Sequence, residues 1–148
     1  MQPGVPDIFT IGYEGLVQPQ LLDLLVAARV QTVLDVRAVA SSRKAGFSKN
    51  LLRASLTAVG LGYVHDIRLG TPKAGRQAVR AGRVGEMAAI FATHMQNAPA
   101  QSGLAEATTL AAAQPICLLC FERNPHHCHR TILASMIRAQ TGQSIRHL

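Results

Sequence analysis

Aromatic residues are scarce in this chain of 148 residues, which has no tryptophan, two tyrosines and four phenylalanines. Proteins that bind single-stranded nucleic acid commonly stack bases on aromatic rings, so this scarcity argues against that mode of binding. Long apolar runs are also lacking, since no segment reaches the roughly 18 apolar residues that a membrane-spanning helix needs. The first residues, Met1–Asp7, lack the basic and apolar blocks of a secretory signal. We therefore expect a cytoplasmic protein without a membrane partner.

Cysteine is sparse too, with three residues in the whole chain. In a chain that shows no sign of export, an odd number of cysteines predicts free thiols or metal ligands rather than a structural disulfide. Covalent cross-links are not needed, because 148 residues with a hydrophobic content of 48% can bury a substantial core. We expect one domain over residues 1–148.

Acidic residues are outnumbered, with 8 Asp and Glu against 15 Lys and Arg, which gives a net charge of +7. The imbalance is concentrated between Val36 and Gly85, where Asp66 is the one acid. The ten basic residues of that segment are Arg37, Arg43, Lys44, Lys49, Arg53, Arg68, Lys73, Arg76, Arg80 and Arg83. This asymmetry predicts an anionic partner, either a phosphorylated small molecule or a nucleic acid. The alternative is a solvated basic face that only keeps the protein soluble.

Apolar and β-branched runs alternate with segments of helical periodicity along the chain. The runs predict strands at Ile8–Gly12, Val30–Arg37, Tyr63–Ile67, Pro115–Leu119 and Ser144–Leu148. The periodicity predicts helices after Pro19, after a cap at Ser48, around Gly85–Gln96 and Ser102–Ala113, and over Thr131–Gln140. The basic segment before Gly85 shows no clear periodicity, so we expect a mobile surface excursion there. The alternation predicts a Rossmann-like three-layer α/β domain, with a mainly parallel sheet and helices on both faces.

The densest group of reactive side chains lies where a predicted strand turns into a predicted helix. Cys117 and Cys120 resemble a C-x-x-C pair, but side chains alternate along a strand, so positions three apart face opposite sides of the sheet. Cys117 is therefore predicted to be a core residue, while Cys120 and Glu122 share a face at the exit of the strand. Asn124 followed by Pro125 is typical of a helix start, which places the next residues in the first turn.

Three kinds of chemistry fit this group. A thiol near a helix N-terminus, with Arg and His side chains close by, has a lowered pKa, which makes Cys128 and Cys120 candidate reactive cysteines. The N–H groups of the same turn, together with Arg130, fit a phosphate or a carboxylate. Zn²⁺ bound by both cysteines and one or two neighbouring histidines is a third option, although the spacing departs from the usual zinc motifs. The structural alternative is that both cysteines simply pack under the loop.

Polar residues follow the other predicted strands at the same edge of the sheet. Ligands of parallel α/β sheets bind beyond the carboxyl ends of the strands, near a topological switch point. The residues that we expect to share one cleft with the cysteines are Tyr13, Glu14, Asp35, Arg37, Arg43 and Lys44. For Asp35 and Arg37, which lie two apart on one face of their strand, a local ion pair is an equally good interpretation.

The combination of these segments resembles the domain-of-unknown-function family 488 (DUF 488), and the matching segments span nearly the whole chain. The residues that carry the resemblance are Thr10–Gly15, Asp35–Arg37, Ser42–Lys44, Gly46–Ser48, Tyr63, Leu69–Gly70, Leu119–Cys120, Glu122 and Cys128–Arg130. The resemblance implies a compact α/β fold with a site built from these segments. It implies no particular reaction, because the family is uncharacterised.

A partial likeness to a rhodanese-type sulfurtransferase comes from the Asp35–Arg37 strand and from the late strand that ends in Cys120. In those enzymes a strand-end cysteine carries a persulfide and is cradled by a short loop. Here the cysteine is followed by a longer loop and by a second cysteine, Cys128. Neither cysteine has an arginine six residues later, which is the pattern of a cysteine phosphatase.

The leading hypothesis is a cysteine-dependent enzyme of unknown specificity that acts on an anionic, phosphate-bearing substrate. The predicted catalytic residues are Cys120, Glu122, Cys128 and His129, with a cysteine as nucleophile and Glu122 or His129 as the proton carrier. The predicted substrate-binding residues are Tyr13, Glu14, Asp35, Arg37, Arg43, Lys44 and Arg130. Two alternatives are a nucleic-acid-binding module with a structural or zinc-binding cysteine–histidine loop, and a rhodanese-like sulfurtransferase.

Overall fold

Five short strands form one parallel sheet in this computed structural model, which describes residues 4–148. The strands are β1 (Ile8–Gly12), β2 (Thr32–Asp35), β3 (Gly62–His65), β4 (Ile116–Cys120) and β5 (Ile145–His147). Their order is β3-β2-β4-β1-β5, and all neighbouring pairs are parallel. Each strand lies within a few residues of its predicted bounds. Residues 1–3, which belong to the segment inspected for a secretory signal, lie outside the described residues.

Six α-helices accompany these strands within residues 4–148. They are α1 (Gln18–Ala27), α2 (Lys49–Ala58), α3 (Lys73–Arg80), α4 (Val84–His94), α5 (Ala98–Ala113) and α6 (His129–Thr141). In the part of the chain that the structure describes, no helix combines the length and the apolar composition needed to cross a membrane.

Helices cover both faces of the sheet, because each carries apolar residues at helical spacing. On one face, Leu21 and Leu25 of α1 join Leu52 and Leu56 of α2 in a cluster of fully buried side chains. The helices from α3 to α6 supply the second cluster, which includes Phe91 of α4. The three layers confirm the predicted α/β class.

Alternation along β4 separates its two cysteines. Cys117 and Leu119 are completely buried in the cluster between the sheet and helices α1 and α2. Leu118 belongs to the cluster on the opposite face of the sheet. Cys120 follows Leu118 by two positions and therefore faces away from Cys117. The prediction that Cys117 is a core residue is confirmed.

The basic segment before Gly85 is not an irregular excursion, and that expectation is wrong. The segment contains α3, in which Gly75 and Ala78 are buried. A methyl group at Gly75 would lie 2.3 Å from a side-chain carbon of Thr71, so the helix approaches the preceding turn closely. The buried positions of α3 are small residues, so its helical spacing is carried by its charged side chains and not by large apolar ones.

Candidate functional site

A cavity of about 330 Å³ opens at the carboxyl edge of the sheet, beyond the ends of β1, β2 and β4. Its volume is in the range of small-molecule sites. The strand order reverses here, since β2 and β3 extend the sheet to one side and the chain then returns to place β4 between β1 and β2. The predicted site residues that line the cavity are Tyr13, Arg37, Cys120, Glu122, Cys128 and His129. The fold thus brings together residues that are far apart in the chain.

Two thiols and one imidazole meet in the wall of this cavity. The sulfur atoms of Cys120 and Cys128 and a ring nitrogen of His129 all lie within 4.8 Å of one another. Nδ1 of His129 is 3.7 Å from Sγ of Cys120 and 3.8 Å from Sγ of Cys128. All three side chains are buried. We call this group the thiol–imidazole cluster.

A hydrogen bond to the backbone fixes the tautomer of His129. Its Nε2 lies 2.8 Å from the carbonyl oxygen of Val36. Because a carbonyl oxygen only accepts, Nε2 carries the hydrogen, and Nδ1 of the neutral ring carries none. The ring also packs edge to face on Phe91, with the two centroids 5.1 Å apart. Nδ1 is therefore held towards the two sulfur atoms with a free lone pair.

The last helix begins after Cys128, so its predicted start at Asn124 is wrong. Asn124 caps only a short 3-10 turn, in which its Oδ1 accepts from the N–H of His126 at 2.9 Å. In a continuous helix, the Pro125 carbonyl would accept from the backbone N–H four residues later. Here it accepts from the side-chain hydroxyl of Thr131 at 2.5 Å. Cys128 is extended, with φ of −136°, and serves as the N-cap residue of α6. The sequence signal located a turn correctly but not the helix that follows it.

The surroundings of the two thiols shift their pKa values in opposite directions. Burial by itself raises the pKa of Cys128, but hydrogen bonds with Cys120 and His129 and the positive charge of Arg130 hold it well below its ordinary value. For Cys120, the hydrogen bond to Cys128, burial and repulsion by Cys128 raise the pKa. The position of Cys128 at the N-terminus of α6 also lowers the pKa of its thiol, because the helix terminus favours a negative charge. The pair therefore holds its one negative charge on Cys128.

Arg130 brings a positive charge close to the cluster. Its side chain is 1% exposed, and no carboxylate among the described residues forms an ion pair with it. Nη1 donates to the Glu122 carbonyl at 2.5 Å and Nη2 to the Arg123 carbonyl at 3.3 Å, whereas Nε has no hydrogen-bond partner within residues 4–148. Arg130 does not line the cavity. A buried guanidinium needs a nearby anion, and a thiolate at Cys128 provides one.

Two glutamates near the cavity have different positions. Glu122 lines the cavity, and its pKa is raised by burial and then by the negative charges of Cys128 and Glu14. Its carboxyl therefore holds a proton closer to neutral pH than an ordinary glutamate does. Glu14 is exposed outside the cavity wall, where its Oε1 accepts from the N–H of Arg123 at 3.0 Å. Glu14 thus anchors the loop that follows β4.

Asp35 and Arg37 form a buried ion pair at the end of β2. Nε and Nη2 of Arg37 donate to the two carboxylate oxygens of Asp35 at 2.9 and 2.7 Å. Nη1 of Arg37 donates to the Tyr13 hydroxyl at 3.2 Å and to the Phe47 carbonyl at 2.8 Å. The Tyr63 hydroxyl donates to Asp35 at 2.5 Å. The pair joins the segments after β1 and β2 to β3, and of its two members only Arg37 reaches the cavity wall.

Apart from Arg37, the arginines of the cavity wall lie on α3, a helix that the sequence patterns did not predict. Arg43 is exposed, Lys44 lies with its Nζ 5.7 Å from the centre of the Phe47 ring, and neither residue lines the cavity. Arg76 and Arg80 of α3 line it instead. Their i, i+4 spacing places them on one helical face, a signal that could be used only once the segment was known to be helical.

The fold and the site define a three-layer α/β protein with a thiol–imidazole cluster at the carboxyl edge of a parallel sheet. A family model described as domain of unknown function DUF488 matches residues 19–137 of the chain. The chain belongs to this family, as its sequence resemblance indicated. No significant match to the chain is found among curated proteins or among solved structures.

Proposed function

We propose that this protein is an enzyme that uses Cys128 as a nucleophile on an anionic, phosphate-bearing substrate. The observation that carries the proposal is the position of the Cys128 sulfur in the cavity wall, at the N-terminus of α6 and 3.8 Å from the bare Nδ1 of His129. The helix terminus and the Arg130 guanidinium both favour a thiolate. Thiolates in such surroundings are the nucleophiles of cysteine-dependent enzymes.

The charge of the cavity wall supports an anionic substrate. Arg37 is already paired with Asp35, so the arginines that remain for a ligand are Arg76 and Arg80. Nη1 of Arg76 donates to the Thr71 carbonyl at 2.8 Å, which orients the side chain. A guanidinium binds phosphate oxygens through two parallel hydrogen bonds. A phosphorylated small molecule fits both the charge and the volume of the cavity.

Two steps describe the reaction that we propose. In the first, the Cys128 thiolate forms a bond to the electrophilic atom, the bond to the leaving group breaks with its electron pair, and the protonated Glu122 carboxyl gives the leaving group a proton. In the second, water attacks the covalent intermediate, the ionised Glu122 accepts the proton of the water, and Cys128 departs as a thiolate. When the resting sulfur is protonated, Nδ1 of His129 accepts its proton.

This chemistry suits a reducing compartment. All three cysteines are free thiols, and two of them lie close enough together for oxidation to disable the nucleophile. Cytosolic thiols are kept reduced. We infer from these points that the protein works in the cytoplasm.

Iodoacetamide should label Cys128 over a wider pH range than an ordinary thiol. Because the pKa of Cys128 is lowered, its thiolate persists as the pH falls below about 8.5, the pKa of a free cysteine, and is lost only below its own pKa. We expect the half-maximal labelling rate at a pH clearly below about 8.5. Mass spectrometry of labelled peptides, in the presence of a chelator, gives the rate at each cysteine.

Cys117 is the internal control for this experiment. It is completely buried in β4, and burial raises the pKa of its thiol, so it should stay unlabelled while the protein is folded. Arg130→Gln removes a positive charge from the cluster and should move the labelling midpoint of Cys128 to higher pH. A wild-type midpoint at the value of an ordinary thiol would contradict the proposed nucleophile.

Phosphate-bearing ligands should protect Cys128 from labelling. Inorganic phosphate and AMP are suitable probes, and the double variant Arg76→Gln/Arg80→Gln should bind them about 10-fold or more weakly, since each hydrogen bond to a charged group contributes about 1.5–3 kcal/mol. The matched control is Arg83→Gln, which lies three residues beyond Arg80 and outside the cavity wall. That variant should be protected like the wild type.

The same protection experiment distinguishes a phosphorylated small molecule from a nucleic acid as the ligand. Protection by a short oligonucleotide, with none from phosphate or AMP, would favour the nucleic-acid-binding module over a small-molecule enzyme. Equal protection of the wild type and the double variant would show that Arg76 and Arg80 do not hold the anion.

A further inference from the structure

We propose that Cys120, Cys128 and His129 form a binding site for one Zn²⁺ ion. Two thiolate sulfurs and one imidazole nitrogen are donors that zinc prefers, and a site with three protein ligands keeps its fourth position for water or a ligand. The site depends only on the geometry of three side chains and is independent of the reaction that the cavity supports.

The three donor atoms already lie near the corners of a tetrahedron. With bonds of about 2.3 Å to sulfur and about 2.0–2.1 Å to nitrogen, a tetrahedral zinc ion separates sulfur from nitrogen by about 3.6 Å. Nδ1 of His129 is 3.7 Å from the sulfur of Cys120 and 3.8 Å from that of Cys128. The two sulfurs lie within 4.8 Å of each other, and small side-chain rotations bring them to the separation of about 3.8 Å that zinc requires.

The orientation of His129 is the second observation that points to a metal. Ligating histidines usually donate their other ring N–H to a carbonyl or a carboxylate, which fixes the ring and directs the free nitrogen at the ion. Nε2 of His129 donates in this way to the Val36 carbonyl at 2.8 Å. The bare Nδ1 therefore faces both sulfurs before any metal binds.

The charges around the site are compatible with a dication. Two thiolates balance the charge of Zn²⁺, so the buried guanidinium of Arg130 would face no net positive charge, and the metal-bound sulfurs would keep partial negative charge towards it. Cys120 is held by β4 and His129 by the first turn of α6, so the ligands stand on the sheet and on a long helix rather than on a flexible loop. Glu122 lines the same cavity but is not among the three close donors, which leaves the fourth position to water.

Zinc at this site would bind the sulfur lone pair with which Cys128 is proposed to attack the substrate. The zinc-bound protein would therefore be a resting form, in which Cys120 and Cys128 resist alkylation. One equivalent of Zn²⁺ should slow the labelling of Cys128 in the wild-type protein about 10-fold or more, since a thiolate bound to a metal is no longer free to react, and a chelator should restore the rate.

Cobalt titration of the reduced, untagged protein tests the site directly. We expect one equivalent of Co²⁺ to produce sulfur-to-cobalt charge-transfer bands and the intense visible bands of a tetrahedral ion, and Zn²⁺ to displace it. Cys120→Ser and Cys128→Ser should weaken binding by on the order of 100-fold or more, because loss of a second-shell partner alone costs about 10–100-fold. His126→Ala and Cys117→Ala are controls, since His126 is exposed in the same loop and Cys117 is buried on the other face of the sheet. Both should bind like the wild type.

The metal site and the nucleophilic cysteine are tested by different measurements, so either can fail without the other. Absence of cobalt bands, equal weakening in Cys117→Ala and Cys128→Ser, or labelling of wild-type Cys128 that one equivalent of Zn²⁺ leaves unchanged would each overturn the metal site. The wild-type labelling needs no variant, so a misfolded variant does not compromise it. The nucleophile is tested in the presence of a chelator, so an ordinary labelling midpoint there would remove the proposed function and leave the cobalt result intact.

Discussion

Asp35→Asn is expected to destabilise the protein by about 3–5 kcal/mol, because it leaves a buried guanidinium without a counter-charge. Arg37 is 5% exposed and Asp35 is 0% exposed, so water cannot replace the lost carboxylate. An amide offers one oxygen where the carboxylate accepts from both Nε and Nη2 of Arg37. Its NH₂ group would face N–H donors, and the Tyr63 hydroxyl would compete for the remaining oxygen.

Urea unfolding of Asp35→Asn measures this effect, and Asp23→Asn is its matched control. Asp23 is exposed on α1 and takes part in no ion pair among the described residues, so its replacement should change the stability by less than about 0.5 kcal/mol. The double variant Asp35→Asn/Arg37→Met removes both charges and should recover part of the loss. A loss below about 1 kcal/mol in the single variant would show that Arg37 finds another partner.

Gly12→Ala is expected to destabilise the protein by about 3 kcal/mol and to displace the loop that carries Glu122. A methyl group at Gly12 would lie 1.8 Å from the carbonyl oxygen of Glu122 and 2.5 Å from its carbonyl carbon. These are backbone atoms of the loop that follows β4, so they cannot rotate away as a flexible side chain does. The same oxygen accepts from Arg130, and its displacement would therefore also weaken the anchoring of the buried guanidinium.

Gly85→Ala is the matched control for this substitution. Gly85 lies in α4 with open space where the methyl group would go, so alanine should stabilise the protein slightly, by up to about 1 kcal/mol, through its higher helix propensity. Unfolding experiments give the stability of both variants, and iodoacetamide labelling gives the state of Cys128. We expect Gly12→Ala to shift the pH of half-maximal labelling of Cys128. If this variant is as stable as the wild type and is labelled at the same pH, the loop accommodates the methyl group.

Much of the architecture was predictable because it depends on local periodicity. Alternation along β4 separated Cys117 from Cys120, and helical spacing of leucines identified α1 and α2. The sequence patterns did not predict α3, whose buried positions are small residues and whose helical spacing is carried by charged side chains. For this reason Arg76 and Arg80 were not predicted as site residues. The predicted basic residues Arg43 and Lys44 lie outside the cavity wall.

The sequence alone determined the fold class, the family resemblance and the segment with the reactive residues, because strand alternation, helical spacing and motif composition are properties of neighbouring residues. Only the tertiary structure decided how those residues meet. It placed Cys120, Cys128 and His129 within 4.8 Å of one another, joined His129 to the Val36 carbonyl and buried Asp35 against Arg37. These contacts depend on the return of the chain to place β4 between β1 and β2, and no local pattern encodes the distance between atoms on separate strands.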